Sequence, residues 1–568
     1  MCSLNNYKNW LLVRPALKIT TLICIQCVLF ACSGGNNDTT VTPTEDPTPL
    51  PTLEPTPINA PEDVFISGIA TFDYVPHRDT NGALYYLGSE PRPIRGATAQ
   101  LVDADGVILR ESVTSETGAY QLGAPANTPV RVRILAELKN SIGAQYRFRV
   151  MDNTDDNSLY ALQGSLLSSG TADSGRDLFA PSGWSEEVNE YDSPRAAAPF
   201  AILDTAYRTV ALIKTVDANV VLSNLDIGWS INNRGIFGEV ELGEIGTSAF
   251  FPTLNKIYLL GTADDDTDEY DPSVIVHELG HFFESEISRT ENPGGDHSLE
   301  ALLDMRVAFS EGWGNAFASM VLQQEFYEDS HGSNQDLAWR FSVEDNFYSS
   351  DGWYSENAVQ QILYDIFDEN NENADSLTLG FSPIYSALTR ADYLNSSAFT
   401  SIYLFVDQLL ETAPTATNGV IALLQNHQIY GTGPYGVGET TDGGISRVLP
   451  LYQQLTLGQN ISFCTGNSLG EFNVIDNRRF FRIEVPQAGN RLINFNLLDR
   501  PSGSVAGLMV AYLNGNYIDA IEFSANGSFN RNIDLPTAGT YVFEYYENQN
   551  VDDESGTGGN VCTNLTVN

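Results

Sequence analysis

The run Asp271-Pro272-Ser273-Val274-Ile275-Val276-His277-Glu278-Leu279-Gly280-His281-Phe282-Phe283 admits few structures. Asp271 suits a helix N-cap and Pro272 the first helical turn. Val274, Ile275, Leu279, Phe282 and Phe283 form a broad apolar face, which must be covered by the rest of the chain. His277 and His281 are four residues apart, so one helical face presents both imidazoles to one metal ion. Glu278 stands beside them, where it can take a proton from a water. The competing reading is a buried helix that happens to carry two histidines. Only six histidines occur in 568 residues, which makes the pairing rare by chance.

A third ligand candidate lies in Ala308-Phe309-Ser310-Glu311-Gly312-Trp313-Gly314-Asn315-Ala316-Phe317-Ala318. Glu311 and Asn315 are four apart and share a helical face. Glu311 would complete a His₂Glu set and leave a fourth position for water, as catalytic zinc requires. Asn315 can accept from the far nitrogen of a ligand imidazole and fix its tautomer. The rival ligands are Glu284, Glu286, His297, Glu300 and Asp304. Glu284 and Glu286 continue the histidine helix and are poorly placed to close over it. A metzincin would need Gly and His where Glu284 and Ile287 stand, so that arrangement is excluded.

HELGH followed by SEGWGNAFA resembles the gluzincin metallopeptidases of the thermolysin and fungalysin type. The resemblance implies His277, His281 and Glu311 as zinc ligands, Glu278 as general base and peptide bonds as substrate. The family places an aspartate where this chain has Asn315, which keeps the orienting bond and removes its charge. The family also supplies a His or Tyr to stabilise the tetrahedral oxyanion. Tyr354, at the entry of the helix after the Glu-bearing one, is the first candidate here and His427 the alternative. A non-catalytic surface binding protein with a gluzincin-like core is the competing function. The intact HELGH and Glu311 weigh against it.

The remaining sequence sets the surroundings. Lys plus Arg number 29 against 73 Asp plus Glu, a formal net charge of −44. Such a surface argues against nucleic acid as a partner. Lys8, Arg14 and Lys18 precede the apolar run Ile19–Phe30, and Leu29-Phe30-Ala31-Cys32 closes it. This targeting segment resembles a bacterial lipoprotein signal. The resemblance implies cleavage before Cys32, acylation of Cys32, and, with Ser33 following, an outer-membrane anchor in the cell envelope. Residues 33–61 alternate proline with threonine and acidic residues, and so form an extended tether. Asp264, Asp265, Asp266, Asp268 and Asp271 crowd the loop before the histidine helix. They read as a solvated acidic loop, with Ca2+ as the alternative occupant. His77 reads as an isolated surface-loop residue.

Residues 62–150 and 456–568 show short apolar or alternating strands between Gly, Asn and Pro turns. Ile94-Arg95-Gly96-Ala97 through Thr117-Gly118-Ala119-Tyr120 resembles carboxypeptidase regulatory-like β-sandwiches. Arg479-Phe480-Phe481-Arg482-Ile483 through Leu535-Pro536-Thr537-Ala538-Gly539-Thr540-Tyr541-Val542 resembles pre-peptidase C-terminal sandwiches. Residues 151–455 carry helical patterns, among them Ala196–Thr215, Ser273–Ser288, Leu299–Glu325 and Tyr385–Ala413. The expected fold is therefore multidomain. An N-terminal β-sandwich, a mainly α (α+β) zincin catalytic domain at 151–455 and a C-terminal β-sandwich follow the 1–32 signal and the 33–61 linker. On the lipoprotein resemblance Cys2, Cys24 and Cys27 would leave with the signal and Cys32 would be acylated. Cys464 and Cys562 remain, and in an oxidising compartment they are expected to form a disulfide.

Overall fold

Alternation in strand Gln145–Asp152 buries Phe148 and Val150 against the core. A strand at the end of a sheet still carries unpaired backbone groups along its free side. Here that side is taken by Val221–Trp229, which pairs in parallel with Gln145–Asp152. Arg149 and Asp226 lie opposite one another in this register and form a bidentate ion pair at 2.7 and 2.8 Å. The sequence places a domain boundary at 150/151. The sheet instead runs straight through that point.

The computed structural model describes residues 63–345, 351–369, 377–470, 473–499, 507–523, 527–551 and 559–568. The expected signal, Cys32 and the tether lie outside these residues. The main sheet has the order Ala249–Phe251, Lys256–Leu259, Val221–Trp229, Gln145–Asp152, Pro129–Asn140, Ala97–Asp103, Ile108–Val113. A second sheet is built on Asp63–Tyr74, which pairs with Glu90–Pro93, Ala119–Pro125, Ser174–Gly175 and Leu178–Ala180. Ile66, Phe72, Leu101, Val132 and Phe148 from the two sheets share one hydrophobic core with the helices.

Helix α1 spans Ala198–Val216 and α2 spans Pro272–Ile287. Phe282 of α2 meets Phe148 edge-on at 5.6 Å and Phe250 at 5.8 Å, so the histidine helix lies on the sheet. Helix α3, Met305–Leu322, is buried along its whole length, and α4, Glu356–Phe367, packs against it. The helical pattern at Tyr385–Ala413 does not form one helix. It breaks into Phe381–Thr389, Ala391–Leu394 and Ile402–Thr412, because Arg390 is extended and Ser401 starts a new helix by accepting from Leu404 N. Among the described residues no helix is long and apolar enough to cross a membrane.

The C-terminal region is a β-sandwich with its own core. One sheet has the order Tyr452–Leu455, Arg478–Val485, Gly539–Glu547, Gly507–Leu513, Asn516–Phe523. The other has Asn460–Thr465, Val561–Val567, Gly489–Asp499, Ser528–Leu535. Phe481, Ile483, Phe495, Phe543 and Tyr545 fill the space between them. Cys464 and Cys562 face one another on neighbouring strands and are disulfide-bonded. The sandwich is fixed to the start of α3 by buried charges. Arg306 donates to Asp304 and to Glu544 Oε1 at 2.7 Å, and Arg478 donates to the same Glu544 oxygen at 2.7 Å.

Candidate metal centre

Helix α2 begins at Asp271 with Pro272 in its first turn, but the Asp271 side chain does not cap it. Its Oδ1 lies 2.6 Å from His77 Nε2, and its Oδ2 accepts from Ser330 N and Oγ. The sequence reading of His77 as an isolated surface residue is thus corrected: its side chain is only 8% exposed and is paired with Asp271. Helix α3 does have a side-chain cap, since Asp304 Oδ1 accepts from Arg306 N at 2.9 Å.

His277 and His281 on α2 and Glu311 on α3 converge, with one ligand atom from each lying within 4.8 Å of the others. Their far nitrogens are held. His277 Nδ1–H donates to Asn315 Oδ1 at 2.9 Å, and that amide is oriented by its own donation to Gln360 Oε1 at 2.9 Å. Ser310 Oγ–H donates to Glu284 Oε2 at 2.6 Å, so the Ser310 oxygen is left to accept from His281 Nδ1–H at 3.2 Å. Neutral rings held this way carry bare lone pairs on Nε2. The two Nε2 atoms are 3.0 Å apart, and each is 3.2 Å from Glu311 Oε2.

Three acceptor atoms so close repel unless a cation stands among them. Zinc with bonds of ~2.1 Å holds tetrahedral ligand atoms ~3.4 Å apart, so these residues fit zinc after a small outward relaxation. Burial works against the His281 imidazolium, but Glu311, Glu284 and Glu278 outweigh it and raise its pKa well above the ordinary value.

The close approach of α2 and α3 depends on glycine. A Cβ at Gly314 would stand 2.7 Å from the His277 ring, and Gly280 lies where the two helices touch. Glu278 is buried, and its Oε2 accepts from Phe250 N at 2.6 Å, at the edge strand of the main sheet. Burial raises its pKa, with His277 and His281 pulling the other way.

The rival ligands are occupied differently. Glu286 accepts from Ser223 N, Asp304 caps α3, Glu300 is exposed and Glu284 is behind Ser310. His297 borders the cluster. Its Nε2 is 3.4 Å from Glu311 Oε2, and its Nδ1 is 2.8 Å from Glu356 Oε2. Asn292 Nδ2 donates to the other Glu311 oxygen at 2.9 Å.

Tyr354 is not brought to this site. Its backbone oxygen accepts from Leu303 N, and its side chain lies toward Asp442, Asp351, Glu439 and the Gly443 backbone. Trp353, bonded through Nε1 to Thr441 O, fixes the same turn. His427 also lies with this group, 3.3 Å from Asp351.

Of the loop acids, Asp264 and Asp265 are exposed as expected, but Asp266, Asp268 and Asp271 differ from the solvated reading. Asp266, Asp268, Asp271 and Asp329 place carboxylate oxygens within 4.8 Å of one another, and Asp268 and Asp271 are 2% and 0% exposed. Burial, then mutual repulsion, raises the Asp268 carboxyl well above its ordinary pKa. Strand Phe326–His331 brings in Asp329, which no local pattern connected to this loop.

Residues 246–407 match the family model for the mycolysin C-terminal domain. The matched segment is under a third of the chain, contains both α2 and α3, and points to a peptidase. No match was found among curated proteins. The pre-peptidase C-terminal domain of a collagenase from Bacillus anthracis is similar at 17% identity. That match covers 21% of this chain and 94% of that one, with a TM-score of 0.15. A periplasmic g-type lysozyme inhibitor from Salmonella Typhimurium is similar at 9% identity over 21% of this chain and 98% of its own, with a TM-score of 0.14.

Proposed function

We propose that this chain is a zinc-dependent metallopeptidase that hydrolyses peptide bonds, with His277, His281 and Glu311 as the metal-holding residues. The observation that carries the proposal is the convergence of three acceptor atoms beside a buried carboxylate, Glu278. Zinc bound there would acidify a water and polarise the scissile carbonyl. The protein's own part is orientation and proton transfer. Asn315 keeps His277 in its Nδ1–H form and Ser310 does the same for His281. Glu278 takes the proton of the attacking water on its carboxylate and passes it to the leaving amine. Its burial, which favours the protonated form, suits that exchange.

His297 takes the role that the sequence reading gave to Tyr354. Glu356 fixes the imidazole through Nδ1, and Nε2 faces the same Glu311 oxygen as the two ligand nitrogens. A donor so placed borders the point where negative charge develops on the carbonyl oxygen. The lipobox-like Leu29-Phe30-Ala31-Cys32 supports anchoring of the enzyme to the outer membrane through acylated Cys32.

Casein hydrolysis by the purified chain, assayed with a zinc chelator and again after zinc is restored, tests the reading. Activity that disappears and returns supports it. Hydrolysis indifferent to the chelator, or none with zinc bound, refutes it.

A further inference from the structure

The chain holds its two ligand histidines unequally. Behind His277 stands a neutral relay, Asn315 and then Gln360. Behind His281 stands an acidic one. Ser310 is 1% exposed and donates to Glu284, which is 3% exposed and whose Oε2 is 3.9 Å from His281 Nδ1. The other Glu284 oxygen, Oε1, is buried with no hydrogen-bond partner. Phe283, Phe309 and Trp313 line the same space. A carboxylate with one oxygen unsatisfied in such surroundings costs stability. The charge does have one use, because a negative charge behind an imidazole makes its far nitrogen a better donor to a metal.

We propose that Glu284 is the positioning carboxylate of the metal centre. Acting through Ser310, it fixes the Nδ1–H tautomer of His281 and strengthens Nε2 as a ligand. The charge absent at Asn315 is thus supplied to the other histidine. The proposal rests on the reading of His277, His281 and Glu311 as zinc ligands.

The test is zinc affinity of the metal-free full chain, measured by competition with a chromogenic chelator, beside thermal unfolding of the same metal-free samples. Glu284→Gln removes the charge at constant size and should weaken zinc binding ~10–100-fold. Its metal-free midpoint should stay near the wild-type value, since the loss of an unsatisfied buried oxygen offsets the loss of the pairing with His281. Ser310→Ala breaks the relay from the other end. It should weaken zinc to a similar degree while lowering the metal-free midpoint, because Glu284 loses its donor. The double variant should bind zinc no worse than the weaker single one. A shared affinity loss with unequal midpoint shifts is what a purely structural role cannot produce. Wild-type zinc affinity in Glu284→Gln overturns the proposal and leaves the metal centre standing. Failure of the wild-type chain to bind zinc overturns both.

Discussion

Substituting Glu544 by Gln should loosen the joint between the C-terminal sandwich and helix α3. Glu544 is 2% exposed and accepts from Arg306 and Arg478, each at 2.7 Å, while its second oxygen accepts from Tyr512 at 3.0 Å. Burial alone would raise its pKa, but the two guanidinium groups outweigh it and lower the value from 4.5 to about 2. A carboxylate so depressed stabilises the fold at every pH above its ordinary value, and that stability is lost as pH falls toward about 2. The drop corresponds to about 3 kcal/mol at neutral pH. Breaking a buried pair while leaving its partner charged costs about 3–5 kcal/mol, which agrees. Here two guanidinium groups would be left with Asp304 as their remaining carboxylate partner. Urea unfolding followed by circular dichroism should therefore show Glu544→Gln less stable by about 3 kcal/mol at pH 7. The gap should narrow toward pH 3, because the carboxylate of the unfolded chain takes up its proton below 4.5 while the folded one holds out to about 2. A loss below about 0.5 kcal/mol at pH 7, or a gap indifferent to pH, would refute the assignment of this network as the joint.

Three further outcomes are expected. Gly314→Ala puts a Cβ 2.7 Å from the His277 ring, so bound zinc should fall well below one per chain while helical circular dichroism is kept. Elemental analysis of the purified variant decides that. His297→Asn should stay folded and zinc-loaded yet lose ~10²–10³ in turnover, whereas Tyr354→Phe should remain near wild type; the reverse order of rates would return the oxyanion role to Tyr354. Cys32→Ser should shift the protein from the membrane fraction to the soluble fraction, and a variant that still pellets would contradict the lipid anchor.

Local patterns carried much of the site. The spacing of His277 and His281 is a property of one helix, and so is that of Glu311 and Asn315. Strands Ala97–Asp103 and Gly507–Leu513 were legible as apolar or alternating runs between turn residues. What the sequence withheld depends on distant partners. His77 and Asp271 are 194 positions apart and Asp266 and Asp329 belong to different elements, so neither burial could be read from neighbours. The change of composition near residue 150 looked like a domain boundary. It marks instead the place where an antiparallel sheet continues through a parallel strand, and backbone pairing of that kind leaves little trace in side chains. Tyr354 was placed by its position at a helix entry, but the turn that holds Trp353 and Leu303 points it elsewhere. His297 lies on a loop without periodicity, and only its fold-dependent pairing with Glu356 sets it apart.

The central claim is tested most directly by measuring zinc content and casein hydrolysis together on Glu278→Ala. The ligand set is intact in that variant and the proton acceptor is gone. The expected result is about one zinc per chain with turnover lowered by at least ~10²–10⁴-fold. A zinc-loaded Glu278→Ala protein with wild-type turnover would contradict the account.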